Sequence, residues 1–255
     1  MSNILTIATK ELRSYFVSPI AYILIAVFAL VFGIFFAISV EQFIRLFLAR
    51  GQMGGNMPMD HHEMLLRPLL GVISTIGLFL VPMITMRLFA EEKRSGTIEL
   101  LLTSPLHDFE IVLGKWLAAM VLYSSLLLVS MFDFAILLFM SDPEWKPILV
   151  GYLGLLLQGG AMISLGVFLS SITRNQIIAV ALTFFASLTL WVTEAVSVFN
   201  TAAWARVVGY LSILSHYDPF GRGLIQSRDV IFFVTFTAFW LFLTVRSLES
   251  LRWRA

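Results

Sequence analysis

Three groups of residues in this 255-residue sequence have the types and spacing for chemistry. The first is the run GQMGGNMPMDHHEM, which places Met57, Met59, His61 and His62 close together. Thioether sulfur suits Cu(I), and imidazole suits copper or zinc. No spacing in the run matches a defined site, and methionines also make adaptable apolar contacts. The run is therefore read as a linker or partner-contact loop, with no metal assigned to it. The second is Asp133, a lone charge inside an apolar stretch. At membrane depth such a charge costs at least about 2.5 kcal/mol on insertion scales, so it must face other helices or stay protonated. A hydroxyl partner on a neighbouring helix is the simpler reading; a polar point on a transport path is the other. The third is the string RLFAEEKRSGTIELLLTSPLHDFEIVLGKW, residues 87–116. Here Gly96 interrupts a helix, and Thr97 can cap the next, with Glu99 at its positive end. Pro105 stops that short helix. Asp108 then caps a further helix with Glu110 in its first turn. The result is a helix–turn–helix elbow that offers Leu100, Leu101 and Leu102 among charges.

Other chemistries are missing from the sequence. No G-x-x-x-x-G-K-[ST] string is present: the one Gly-Lys pair, Gly114–Lys115, is followed by Trp116 and has Phe109 where the first glycine should stand. Without that cradle of backbone N–H groups the chain has no recognisable nucleotide site of its own. There is no G-x-S-x-G elbow and no H-E-x-x-H pair. With no cysteine, thiolate metal sites, thiol catalysis and disulfides are excluded. The 17 basic and 16 acidic residues leave a net charge of +1, which offers nothing to nucleic acid. No cofactor is expected in this chain.

The elements that must position these residues are membrane spans. Hydrophobic residues make up 59% of the chain and charged ones 13%, against roughly 25% charged in a soluble domain. Mean hydropathy is +0.90. Uncharged runs place six spans at about 20–40, 68–86, 116–141, 147–173, 175–193 and 230–245, each close to the roughly 20 residues a helix needs. Their apolar residues are continuous rather than alternating, which excludes a β-barrel. The first run is too long for a signal-peptide core and no A-x-A-like site follows it, so it is read as a retained span. Residues 1–17 read as an amphipathic helix on the membrane surface, with Ile4, Leu5, Ala8, Leu12, Tyr15 and Phe16 at helical spacing and Lys10 and Arg13 opposite. With both termini cytoplasmic, ten of the Lys and Arg residues lie inside and seven outside, which sets the orientation. In the long outside segment 194–229, a short helix is expected over Thr201–Leu214. The aromatic stretches Trp204–Tyr210 and His216–Phe220 read as membrane-interface residues ahead of a sugar-stacking shelf. Gly221 and Gly223 permit a tight turn back into the last span.

The string from Glu91 to Pro105, Glu-Glu-Lys-Arg-Ser-Gly-Thr-Ile-Glu-Leu-Leu-Leu-Thr-Ser-Pro, with Gly114-Lys115 following it, resembles ABC-2-type transporter permeases. The likeness extends over nearly the whole chain. The stretches Ser18–Tyr22 and His216–Phe233 are most similar to gliding-motility, GldF-type permeases. The resemblance implies an all-α membrane protein, a single ABC-2-type domain over residues 1–255, with six transmembrane helices, the N-terminal interfacial helix and a coupling-helix elbow. It implies a permease subunit of an exporter in the bacterial inner membrane, paired with a second permease chain as homo- or heterodimer. Catalysis would lie elsewhere: separate ABC ATPase subunits would use ATP and Mg and dock on the 87–115 loop. Glu91, Glu92, Gly96, Thr97, Ile98, Glu99, Leu100, Leu101 and Pro105 would be the coupling residues. Two other functions stay open. One is a membrane assembly factor passing force to a periplasmic accessory protein; the other is an ATP-independent secondary carrier.

Overall fold

Runs of apolar residues without helix breakers become helices here because a backbone in hydrocarbon must satisfy its own N–H and C=O groups. The computed structural model describes residues 2–52, 62–103, 105–141, 145–199 and 209–252, and these hold ten α-helices. They are α1 (Ser2–Val17), α2 (Pro19–Gln52), α3 (Arg67–Thr85), α4 (Ala90–Ser95), α5 (Ile98–Thr103), α6 (Asp108–Ser141), α7 (Trp145–Ile172), α8 (Gln176–Phe199), α9 (Ile213–Gly221) and α10 (Ser227–Arg252). A five-residue π-helical turn, His62–Leu66, leads into α3. Six of the helices are long and apolar enough to cross a membrane.

The helices outrun the uncharged stretches at both ends. α2 continues to Gln52, carried past the expected limit by a Glu41–Arg45 pair one turn apart at 2.6 Å. α6 begins eight residues before Trp116, and α10 runs on through an Arg246–Glu249 pair at 2.7 Å. A charge ends the hydrocarbon stretch but not the helix, since ion pairs three or four residues apart suit a solvated helix face.

α7 is the central pillar and touches α3, α4, α6, α8, α9 and α10. Its glycines let neighbours come close, as small residues do between membrane helices. A Cβ on Gly159 would fall 2.2 Å from the Tyr123 ring of α6, and one on Gly154 would fall 2.5 Å from Phe220 of α9. Buried polar groups pair across the same contacts: Gln158 Nε2 donates to Ser74 Oγ of α3 at 2.8 Å, and Ser130 and Tyr152 hydroxyls meet at 2.8 Å.

The long segment before the last span departs from expectation. Residues 201–208 of the helix expected at Thr201–Leu214 lie outside the described residues; the helix that is described is α9, capped where Ser212 Oγ accepts from Ser215 N at 3.2 Å. Tyr217 and Phe220 are core rather than interface residues, 3% and 0% exposed, because Gly154 opens room for them. Arg67 ties α9 to the start of α3 through Asp218 at 2.6 Å. His216 is wedged between the Asp229 carboxylate, 2.7 Å from Nδ1, and the Tyr210 carbonyl, 2.9 Å from Nε2. Of the two glycines in the turn, Gly223 holds the positive φ, 76°.

Candidate functional site

Where α3 ends, the chain makes a turn and restarts as α4, and a restarted helix has orphan N–H groups to satisfy. Ser170, near the end of α7, meets them: its Oγ accepts from Phe89 N at 3.2 Å and Ala90 N at 3.1 Å, and donates to Met86 O at 3.1 Å. Gly166, one turn earlier, brings α7 close enough, since a Cβ there would fall 2.3 Å from Thr85 Oγ1. Lys93 returns the favour by donating to the Ser171 carbonyl, a cation at the negative end of α7. Gly96 then ends α4 at φ 75°, a left-handed conformation that glycine adopts without a Cβ clash.

The centre of the elbow is Lys115, fully buried at the base of α6. An ammonium has three donors and no acceptor. Here all three find oxygen: Glu11 Oε1 of α1 at 3.0 Å, Glu92 Oε1 of α4 at 2.9 Å, and the Leu88 carbonyl at 2.6 Å. The Phe89 ring adds a cation–π face at 5.0 Å. Burying a charge is costly unless it is paired and saturated in this way. Lys10 joins from outside, 3.2 Å from Glu11 and 3.7 Å from Glu92, so two cations and two carboxylates balance. Burial would raise the Glu11 carboxyl, but Lys115 and then Lys10 outweigh it and hold it below its ordinary value. Burial would lower the Lys10 ammonium, and Glu11 and Glu92 overcome that and raise it.

One helix therefore carries three anchors. α1 is held further by Tyr15, whose hydroxyl donates to Ile84 O at 2.6 Å, and by Ile7, buried where Gly114 lets α1 and α6 touch. Leu5, expected on the apolar face, is 62% exposed. Arg87 bonds Glu91 in bidentate fashion at 2.6 and 3.1 Å and reaches Ser18 Oγ at 3.4 Å. A cleft of about 450 Å³ opens here, lined by Lys10, Glu11, Arg87, Glu91, Glu92 and Thr97 among others.

The expected site residues distribute unevenly over this frame. Glu92 belongs to the lysine knot, and its Oε2 has no hydrogen-bond partner among the described residues. Glu91 is committed to Arg87. The Thr97 hydroxyl meets Ser95 Oγ at 2.9 Å and Glu92 O at 3.5 Å. Ile98 is half-buried against the core, while Glu99 and Pro105 are exposed. The Leu100 and Leu101 side chains lie outside the described residues. Asp108 is not the cap of α6: it is the first helical residue, paired with Arg252 at 3.0 Å. The capping bond comes from Glu110 Oε2, which accepts from His107 N at 3.2 Å, because a glutamate three positions in can reach back to the residue that starts the helix.

Asp133 stands on a half-exposed flank of α6, between exposed Phe132 and buried Phe134. The hydroxyl partner expected for it is absent among the described residues, since Ser130 and Tyr152 satisfy each other. Met57, Met59 and His61 lie outside the described residues, as does the His62 side chain. The sequence reading missed Lys115, Glu11, Lys93 and Ser170 as a unit. The available signal was a lysine that heads a long apolar run: such a lysine needs partners.

Residues 5–245 match the family model described as ABC-2 family transporter protein. No curated protein matches the chain.

Proposed function

This chain belongs to the ABC-2 transporter family, whose members are permease subunits that pair with ABC ATPases, and we propose that it is driven as an exporter through the elbow of residues 87–115. It is a multi-pass membrane transport subunit, not an enzyme. ATP and Mg are used by the partner ATPase. The Lys and Arg bias favours a bacterial inner-membrane orientation with both termini cytoplasmic and the elbow facing that ATPase. One observation carries the coupling role: Lys115 clamps α1, α4 and α6 together while Ser170 and Lys93 bind α4 to α7. A push on α5 would therefore reach the spans through α4, which is the stiff shared element that coupling requires.

In this reading Glu91, Glu92, Gly96 and Thr97 build the bracket, and Ile98, Glu99, Leu100 and Leu101 belong to the segment that meets the ATPase, with Pro105 ending it. Replacing Leu100 and Leu101 by Asp should release the ATPase or uncouple its turnover while insertion stays normal. ATPase pull-down and ATP turnover in lipid measure this. Wild-type values for both in correctly inserted protein would overturn the assignment. A GldF-type subfamily, with force passed to a periplasmic partner, is the second reading. It draws support from the stretch His216–Phe233, which forms a tied unit through the buried His216–Asp229 contact.

A further inference from the structure

On the opposite flank of α6 from the lysine knot runs an apolar groove of about 600 Å³, floored by α7 and walled by α6 and α10. Its lining contains two polar groups, and both are turned inward. Trp116 Nε1 donates to Gly160 O at 3.1 Å, and Thr237 Oγ1 donates to Phe233 O at 2.8 Å. Nothing in the lining is left to bond a polar ligand, so the occupant is hydrocarbon.

Size narrows the occupant further. The lining on α10 runs from Phe233 to Val245, which is about 18 Å at the helical rise. That is close to the hydrocarbon depth of one leaflet, about 15 Å of a core near 30 Å. A groove about one leaflet long with hydrocarbon walls matches a single acyl chain.

Charge marks the headgroup end. Arg246 directly follows the last lining residue of α10, and its guanidinium lies 5.1 Å from the ring centre of Phe242, itself a lining residue. Glu249 takes Nη1 at 2.7 Å, yet the side chain stays 62% exposed. Arginine forks suit phosphate oxygens. Beyond the groove, the Asp108–Arg252 pair joins α6 to α10 at 3.0 Å and fixes the walls. We propose that this groove holds one acyl chain of an anionic phospholipid, with the headgroup phosphate at Arg246.

Native mass spectrometry of the detergent-purified, partly delipidated protein tests this. Wild type should retain one phospholipid per chain, with phosphatidylglycerol preferred over phosphatidylethanolamine. Ala238→Trp fills the groove from its lip and should reduce retention by about tenfold. Ile231→Trp, on an exposed position outside the groove, should not. Arg246→Gln should keep the lipid and lose the headgroup preference. No retained lipid, or equal retention in Ala238→Trp and wild type, would overturn the site. So would a loss shared by Ile231→Trp, or a change in chain number on Ala238→Trp, which would make the groove an interface between copies. A second measurement needs no groove-filling variant. In phosphatidylglycerol–phosphatidylcholine vesicles, bromines on the phosphatidylglycerol chains should quench the Trp116 signal (wild type minus Trp116→Phe) more than bromines on phosphatidylcholine at the same mole fraction. Equal quenching by the two overturns the headgroup assignment.

Discussion

The three N–H groups of Lys115 are matched by two carboxylates and a carbonyl, so removing the ammonium leaves two half-buried carboxylates to share Lys10 alone. Lys115→Met should therefore lower stability by about 3–5 kcal/mol. The triple change Lys115→Met, Glu11→Gln, Glu92→Gln, which leaves only the exposed Lys10 charged, should lose clearly less. Thermal unfolding of the detergent-solubilised variants would show the order, and a triple variant less stable than Lys115→Met would refute the buried-charge account. Acid should act on the same knot. Glu11 is held below the ordinary glutamate value of 4.5. Its ionised form thus contributes stability that is complete above 4.5 and is lost as pH falls through its lower folded-state value. Unfolding midpoints followed from pH 7 downward should stay level and then fall below about pH 4.5. Glu11→Gln should flatten that acid limb.

At the scale of elements, α4 is too short to be stable by itself, since helices this short are marginal in water. It persists because α7 supplies its cap, α1 and α6 supply its charge partners, and Gly96 releases the chain at the right point. Ser170→Ala leaves the Phe89 and Ala90 amides without their acceptor, a loss of about 1–2 kcal/mol. Those two amides should then exchange with deuterium about tenfold faster, while amides in the middle of α7 keep wild-type rates. Uniform acceleration throughout the chain would mean that Ser170 supports the whole bundle rather than the elbow. The short helices were legible in sequence because Gly96 and Pro105 punctuate them. The bracket was not, because its bonds join residues such as Glu11 and Lys115 that lie 104 positions apart. The cap of α6 was misplaced by one residue for a local reason: Asp108 looks like a cap, but Glu110 reaches back to His107 and leaves Asp108 for Arg252.

For the whole molecule, the six spans could be read from uncharged runs alone, because hydrocarbon leaves a chain few alternatives to the helix. Which helix would be central could not, since α2, α7 and α8 are similarly apolar. The glycines of α7 supply the answer only once their neighbours are known: Tyr123, Thr85 and Phe220 press onto positions where a methyl group would collide. That packing has a consequence for transport. α7 is buried along most of its length and touches six other helices, so the middle of the bundle is filled with side chains. By contrast, α2, α8 and α10 expose large apolar residues such as Leu30, Phe185 and Phe239. We therefore propose a path for cargo between two such bundles, each contributing one wall, a closed pair being the commonest way chains assemble. Native mass spectrometry of the active complex in lipid should find two permease chains, identical or paired with a relative, and two ATPase subunits. Single-molecule bleaching of a labelled permease gives an independent count. One permease chain with one ATPase showing full coupled turnover would put the path inside the six-helix bundle and refute this assembly.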